Sequence, residues 1–270
     1  NPSHPSGCGA WHAERLEDAI VAAGPETVAC FVAEPVAGAT LGAAVPTDEY
    51  WPAVAEVCRR HGVLLITDEV MTGFGRTGAW FGGDHWDLRP DILVAGKGAS
   101  SGYWPFGFAA CSGPVFETIE PEGFVHGFTF SHSPTGAAVG LAVLGKLRRD
   151  GLVEASRDKG ERLRKELAGA LNDHPHVGDV RGLGSMVGIE LVAERETKKP
   201  FAREDRVTER VVAGAQDLGV ILYSSTGCAD GTRGDLVMLG PPFVITDDEL
   251  VEAVEKTAGA IGRALAPPTR

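Results

Sequence analysis

The sequence predicts an α/β chain, with an open, mainly parallel sheet through the first half and a smaller α+β domain from about residue 150. Three observations carry this expectation. Short apolar runs at 28–33, 63–67, 92–95 and 108–111 lack polar alternation and are bounded by Gly, Pro or Asp, the look of strands in a parallel sheet covered on both faces. Helical patterns separate the first of these runs, so strand–helix–strand units with right-handed crossovers are expected. The 36 glycines in 270 residues follow no fixed period; they are about double the usual ~7%, which excludes collagen and favours a turn-rich α/β chain.

In chain order, the first helix pattern covers 14–23 and the first strand 28–33. A second helix is expected over 50–60, where Pro52 is tolerable in a first turn and Gly62 closes the end. The strands at 63–67, 92–95 and 108–111 follow. A long helix over about 136–150 leads into another over 152–171. Then come an apolar run at 187–192, a helix over 205–218 closed by Gly219, and runs at 220–223 and 236–239. The last helix is well signed: Thr246 and Glu249 form a capping box, and Pro267-Pro268 follow its end. The domains are therefore expected to be 1–150 and 151–270, without internal repeats.

Composition removes several function classes. Lys+Arg 25 against Asp+Glu 37 gives a formal charge of −12, and an acidic chain without a basic run is a poor ligand for nucleic acid or an anionic membrane. At 43% hydrophobic residues the chain can fill a core. The longest uncharged stretch, 124–145, holds two His, several Gly and several hydroxyls, and reads as a buried loop and helix, not a membrane span. The five cysteines are scattered, with no C-x-x-C; they read as free thiols in a reducing, cytoplasmic setting. His4, Cys8 and His12 match no zinc spacing, so no metal is expected.

The informative polar residues sit just after the apolar runs. The strand 28–33 ends in Glu34-Pro35, the strand 63–67 in Asp68-Glu69, and the strand 92–95 in Gly96-Lys97. Ligands of open parallel sheets bind outside the carboxyl ends of the strands, so these charges would meet at one crevice. A plain ion pair, with Lys97 bridging Asp68 or Glu34, is the structural alternative. It is costly to bury charge at three neighbouring strand ends without a ligand. Lys97 is flanked by Ala95, Gly96, Gly98 and Ala99, which leaves room for a flat aldehyde to reach an amine nucleophile. Pyridoxal 5'-phosphate fits best, because it also needs an acid partner for its ring nitrogen, which Asp68 can supply. A P-loop is absent, with Asp91 where its first Gly should stand. The G-x-G-x-x-G at 73–78 precedes no clear helix and does not read as a dinucleotide site.

The stretch Leu65-Ile66-Thr67-Asp68-Glu69-Val70-Met71-Thr72-Gly73-Phe74-Gly75-Arg76-Thr77-Gly78, followed by Asp91-Ile92-Leu93-Val94-Ala95-Gly96-Lys97-Gly98, resembles the cofactor-attachment signature of class III pyridoxal-phosphate aminotransferases. Phe31-Val32-Ala33-Glu34-Pro35-Val36, His126-Gly127-Phe128-Thr129-Phe130-Ser131 and Met238-Leu239-Gly240-Pro241-Pro242-Phe243 extend the resemblance across the chain. It implies a fold-type I transferase: the later part of the cofactor-binding large domain over 1–150, and a small C-terminal domain over 151–270. The chain starts at Asn-Pro-Ser without an initiator Met, and an N-terminally trimmed chain is expected, lacking the family's upstream Gly/Ser phosphate loop and ring-stacking aromatic residue.

By the same resemblance, Lys97 would form the Schiff base and shuttle the substrate proton, Asp68 would pair with the pyridinium nitrogen, and Val70 would pack on the ring, a plain core valine being the other reading. Thr129 would bind the phosphate of a neighbouring subunit, implying a homodimer with a shared site. Glu34 would line the substrate pocket. Arg76 is by default a surface salt bridge. Met238 stands where several relatives carry a carboxylate-binding Arg, and Arg233 is the nearby cation that could substitute. The implied activity is transamination between a small amine or amino acid and a keto acid. The alternatives are a semialdehyde-type aminomutase and an inactive, truncated homologue serving as a dimerisation module.

Overall fold

A computed structural model describes residues 7–266. The chain forms two compact units. The first gathers the residues up to Val36 with Pro46–Phe74 and Ala79–Asp150; the second gathers Ala37–Val45, Gly75–Gly78 and the chain from Gly151 onward. His4 and Pro267-Pro268 lie outside the described residues.

In the first unit, helix α1 (Cys8–Ala23) precedes strand β1 (Cys30–Ala33), helix α2 (Tyr50–His61) and strand β2 (Leu64–Asp68). Strands β3 (Ile92–Ala95) and β4 (Phe108–Cys111), and helices α3 (Gly113–Ile119) and α4 (Pro134–Arg149), complete it. Helix α1 begins six residues before the pattern at 14–23 suggested. Gly9 makes this possible: a Cβ there would stand 2.6 Å from the Tyr50 backbone nitrogen, so only glycine allows the close approach to α2. Helix α2 ends as expected at Gly62, whose φ of 66° is the left-handed region that a non-glycine residue enters at a cost.

The sheet order is β1-β2-β3-β4. Strands β1, β2 and β3 run parallel, with Ala33 opposite Thr67 and Asp68 opposite Val94. Strand β4 corrects the sequence reading, for it returns antiparallel to β3 and all four of its residues are exposed. The connection 96–107 holds only one 3-10 turn, whereas a parallel return usually needs a helical crossover; an apolar run does not encode strand direction. Cover on both faces is also corrected. Burial alternates along β2, with Leu65 and Thr67 inside, and Val32 of β1 is 53% exposed. The stretch 124–145 is no buried loop either: Phe124, Val125, Phe128 and Phe130 are 66–97% exposed.

One face of the sheet carries a core of Ala13, Ile20, Trp51, Val54, Val57, Cys58, Val63, Leu65 and Leu88. Trp51 is fully buried, and its indole N–H donates to the Pro35 carbonyl at 2.9 Å. Trp51→Ala is expected to cost about 3–5 kcal/mol from the lost packing. Trp51→Phe should cost roughly 1–3 kcal/mol, mainly by leaving that buried carbonyl without a donor. Urea unfolding of the two variants separates packing from hydrogen bond.

In the second unit, helix α5 (Leu152–Ala170) leads to the hairpin β5 (Val177–Leu183) and β6 (Met186–Leu191), then helix α6 (Val207–Asp217), strands β7 (Tyr223–Thr226) and β8 (Asp235–Leu239), and helix α7 (Asp247–Ala264). Its sheet, β5-β6-β8-β7, is antiparallel throughout. Strand β5 carries Gly178, Asp179 and Gly182, which hid it from apolar patterning. The run 220–223 is mostly the approach to β7, whose residues face outward. Leu163, Leu167, Ile189, Leu191, Val211 and Leu250 are among the core residues beneath α5, α6 and α7. The capping box of α7 forms as expected: the Glu249 backbone N–H donates to the Thr246 hydroxyl at 3.2 Å, and the Thr246 N–H donates to the Glu249 carboxylate at 2.7 Å.

The segment 37–45 is held to this unit by Arg181, which donates to the Gly42 carbonyl at 3.0 Å and the Leu41 carbonyl at 2.6 Å. A Cβ on Gly188 would fall 2.1 Å from the Gly42 oxygen, so a side chain at 188 would push the segment away. Among the described residues no helix is long and apolar enough to cross a membrane, and no cluster of three metal-ligating side chains occurs.

Candidate active site

The parallel register brings three of the expected residues to one edge of the first unit's sheet. Glu34 follows β1, Asp68 closes β2, and Lys97 lies just past β3. Ala33 pairs with Thr67, so Glu34 and Asp68 are the next residues along two adjacent parallel chains. Asp68 pairs with Val94, so Lys97 lies three residues further along its own strand direction.

Alternation orients the carboxylates of Asp68 and Glu69 differently. Thr67 and Glu69 are buried to one side while Asp68, between them, stays half-buried on the other. One Asp68 oxygen, Oδ1, accepts the Val70 backbone N–H at 3.0 Å. The other has no hydrogen-bond partner among the described residues. Lys97 is exposed and makes no ion pair among the described residues, so the alternative of a plain Lys97 bridge to Asp68 or Glu34 is not what forms. Its φ is 36°, in the left-handed region where a non-glycine residue is strained; such strain persists only where surrounding structure enforces it. The 3-10 turn Lys97–Ala99 enforces it, with the Ala99 N–H on the Gly96 carbonyl at 2.8 Å.

The Val70 methyls would lie 3.9 Å from a Cβ on Gly96. Val70 thus stands next to the lysine's glycine neighbour, half-buried and not within the sheet's main core. A pyridoxal ring asks for an amine, an acceptor for a protonated ring nitrogen and an apolar face. An unpaired lysine, a carboxylate with one uncommitted oxygen and Val70 are the matching donor set. The residues present fit the group.

Glu69, which the sequence showed only as the second half of a carboxylate pair, is 1% exposed. Its Oε2 accepts the Thr72 hydroxyl and the Gly82 N–H at 2.7 Å, and its Oε1 accepts the Gly83 N–H at 2.8 Å. Burial pushes this carboxyl above the usual carboxylate range, against the hydrogen bonds from Thr72, Gly83 and Gly82, which favour its charged form. The signal available beforehand was the Gly82-Gly83 pair: two successive backbone N–H groups free to converge on an anion.

The remaining residues lie elsewhere. Thr129 is on the exposed stretch before α4, and its hydroxyl has no hydrogen bond among the described residues. Arg76 is not a surface salt bridge. It donates to the carbonyls of Ser185 at 2.9 Å and Pro241 at 2.8 Å, and stacks 4.7 Å over the Phe243 ring, within the second unit. Met238 is a buried residue of β8, paired with Gly188 and Tyr223. Arg233 is exposed and donates to Asp230 at 2.7 Å; the backbone and side chain of Arg233 pull the Asp230 carboxyl down to about 2.

Comparison with known proteins shows what the chain is similar to. The family model described as Aminotransferase class-III matches residues 7–261. The uncharacterized aminotransferase YodT of Bacillus subtilis is 41% identical over 94% of this chain and 58% of its own length. The putrescine–pyruvate aminotransferase of Pseudomonas aeruginosa is 35% identical over 95% of this chain and 56% of its own. A solved transaminase from the marine bacterium Virgibacillus superposes with a TM-score of 0.90 at 37% identity, covering 97% of this chain and 58% of that protein. The chain therefore spans a little over half the length of these relatives.

Proposed function

Because the chain belongs to the class-III aminotransferase family, we propose that it takes part in amino-group transfer between a small amine or amino acid and a keto acid, with pyridoxal 5'-phosphate as cofactor and Lys97 as its attachment point. The observation that carries this reading is the pairing of an ion-pair-free lysine with a carboxylate that keeps one oxygen open, on neighbouring strand ends. When bound, the cofactor supplies an electron sink for the carbanion that forms as the amino group moves.

The protein's own groups supply the rest. Lys97 Nζ would hold the cofactor and would serve as the general base that moves the proton at the reacting carbon. Asp68 Oδ2 would keep a proton on the ring nitrogen by charge-assisted hydrogen bonding, while the Val70 N–H fixes Oδ1. Val70 covers one apolar face and keeps water from it. Glu34 borders the substrate side. Thr129, exposed and without a described partner, is assigned to the phosphate held by a second copy of the chain, which makes the active form a homodimer.

The test is a two-substrate assay with added pyridoxal phosphate. The pair in the Pseudomonas relative's name, putrescine and pyruvate, is the first to try, and alanine formation is the readout. A screen of amine donors and keto acids that gives no transfer, with no visible band from bound cofactor, would remove the reading. Isomerised substrate without transfer to the keto acid would assign an aminomutase instead.

A further inference from the structure

Glu69 is a charged group that the chemistry above does not use, yet it lies one residue from Asp68 and is fully enclosed. A buried carboxylate is costly unless its oxygens are satisfied. Here they are, and each bond ties down a different part of the surrounding chain. The Thr72 hydroxyl fixes the turn just after Val70. The Glu69 carbonyl accepts the Gly73 N–H at 2.9 Å, closing that turn, and the Glu69 N–H donates to the Val94 carbonyl at 2.8 Å, joining it to β3. The Gly82 and Gly83 amides bring in a segment thirteen residues away.

That segment reaches the next strand end. A Cβ on Gly82 would sit 2.8 Å from the Thr72 Cβ and 3.1 Å from the Pro35 Cβ, so the Gly82 backbone is wedged between the Val70–Gly73 turn and the Glu34-Pro35 turn. A Cβ on Gly83 would be 3.4 Å from Glu69 Oε1. Pro35 is also held by the Trp51 indole, which donates to its carbonyl. One carboxylate therefore stands at the junction of the turn that orients Asp68, through the Val70 N–H, and the turn that carries Glu34.

We propose that Glu69 is a positioning residue for the transamination site: it locks the Val70–Gly73 turn so that the Val70 amide holds Asp68, and locks Gly82 against Pro35 so that Glu34 keeps its place. The proposal rests on the function assigned above. Glu69→Gln isolates the charge, because the side chain keeps its shape. Whichever way the amide is turned, its NH2 faces a backbone N–H of Gly82 or Gly83, so one donor loses its acceptor.

Amide hydrogen exchange reads the lock without any cofactor. In Glu69→Gln the amides of Val70, Gly73, Gly82 and Gly83 should exchange about ten- to a hundredfold faster, the range expected when one buried donor is left unsatisfied, while the amides of α7 exchange as in the parent. A uniform acceleration across the protein, or none at these four amides, would overturn the inference. Pyridoxal phosphate titration supplies the second readout: the variant should bind about tenfold more weakly, with the visible band of bound cofactor displaced in wavelength. If the parent binds cofactor and the variant matches it in both, Glu69 positions nothing. If the parent itself binds no cofactor, the functional reading falls, and the exchange pattern still decides the lock. Should Glu69→Gln fail to fold, Thr72→Val removes one bond to the same carboxylate. It must then speed Val70 and Gly73 exchange locally, or the lock is refuted.

Discussion

Lys97→Ala is expected to abolish covalent capture of pyridoxal phosphate and to lower any transamination by about 10⁴-fold, because the same Nζ would serve as anchor and as proton carrier. The side chain is exposed and takes no part in an ion pair among the described residues. Its removal therefore leaves no buried partner unsatisfied, and the variant should unfold at the parent's urea midpoint. Removing it also relaxes nothing vital in the backbone, since alanine tolerates the 36° φ no worse than lysine does. The loss is thus chemical and not structural. Borohydride treatment followed by peptide mass analysis should place the retained cofactor on the peptide containing Lys97 in the parent and on none in the variant. Retention of a labelled peptide in Lys97→Ala would mean that another amine anchors the cofactor.

Asp68→Asn is expected to have the next largest effect on rate. The variant keeps an Oδ1 to accept the Val70 N–H, so the turn and the fold should persist. What is lost is the negative charge at the second oxygen, which on the proposed reading would stabilise a protonated ring nitrogen more in the reacting state than at rest. Removal of one such preorganised interaction costs on the order of 10²–10³ in kcat. The cofactor should still become attached at Lys97, which distinguishes this variant from Lys97→Ala. Unchanged kcat with the cofactor attached would show that Asp68 is only a capping group for the turn after β2.

These residues were legible in the sequence for a definite reason. Glu34, Asp68 and Lys97 each follow a short uninterrupted apolar run, and the parallel pairing of β1, β2 and β3 turns equal positions in sequence into neighbouring positions in space. Strand β4 was legible as a strand but not in direction, because its four residues carry no sign of the partner's orientation. Strand β5 was missed, since Gly178, Asp179 and Gly182 interrupt its apolar pattern and leave only Val177 and Val180 against the core. The burial expected for Phe124, Val125, Phe128 and Phe130 failed because apolar composition records a preference for cover and not which surface meets it. Glu69 was visible as a neighbour of Asp68 and Gly82-Gly83 as an adjacent glycine pair, but nothing in the sequence joined the two. The role of Glu69 depends on amides thirteen and fourteen residues away, and no spacing rule connects a glutamate to a distant glycine pair. Arg76 was misplaced for a related reason: its acceptors are the backbone carbonyls of residues 185 and 241, which a residue of any type there would offer.

The discontinuous make-up of the second unit bears on how the chain is made. Arg76 waits for a carbonyl 165 residues downstream, and Arg181 closes on a segment synthesised 139 residues before it. As the polypeptide leaves the ribosome, residues 37–45 and 75–78 must stay unsettled until the hairpin β5–β6 and the turn after β8 exist. Such distant pairings slow folding, since the loop must close before the contacts reward it. Expression of residues 151–266 alone would consequently yield a sheet missing the strap on Gly188 and the guanidinium beneath Phe243. Supplying the earlier residues as a separate peptide, or grafting them onto the C-terminus, is the route by which that body could be obtained apart from the rest.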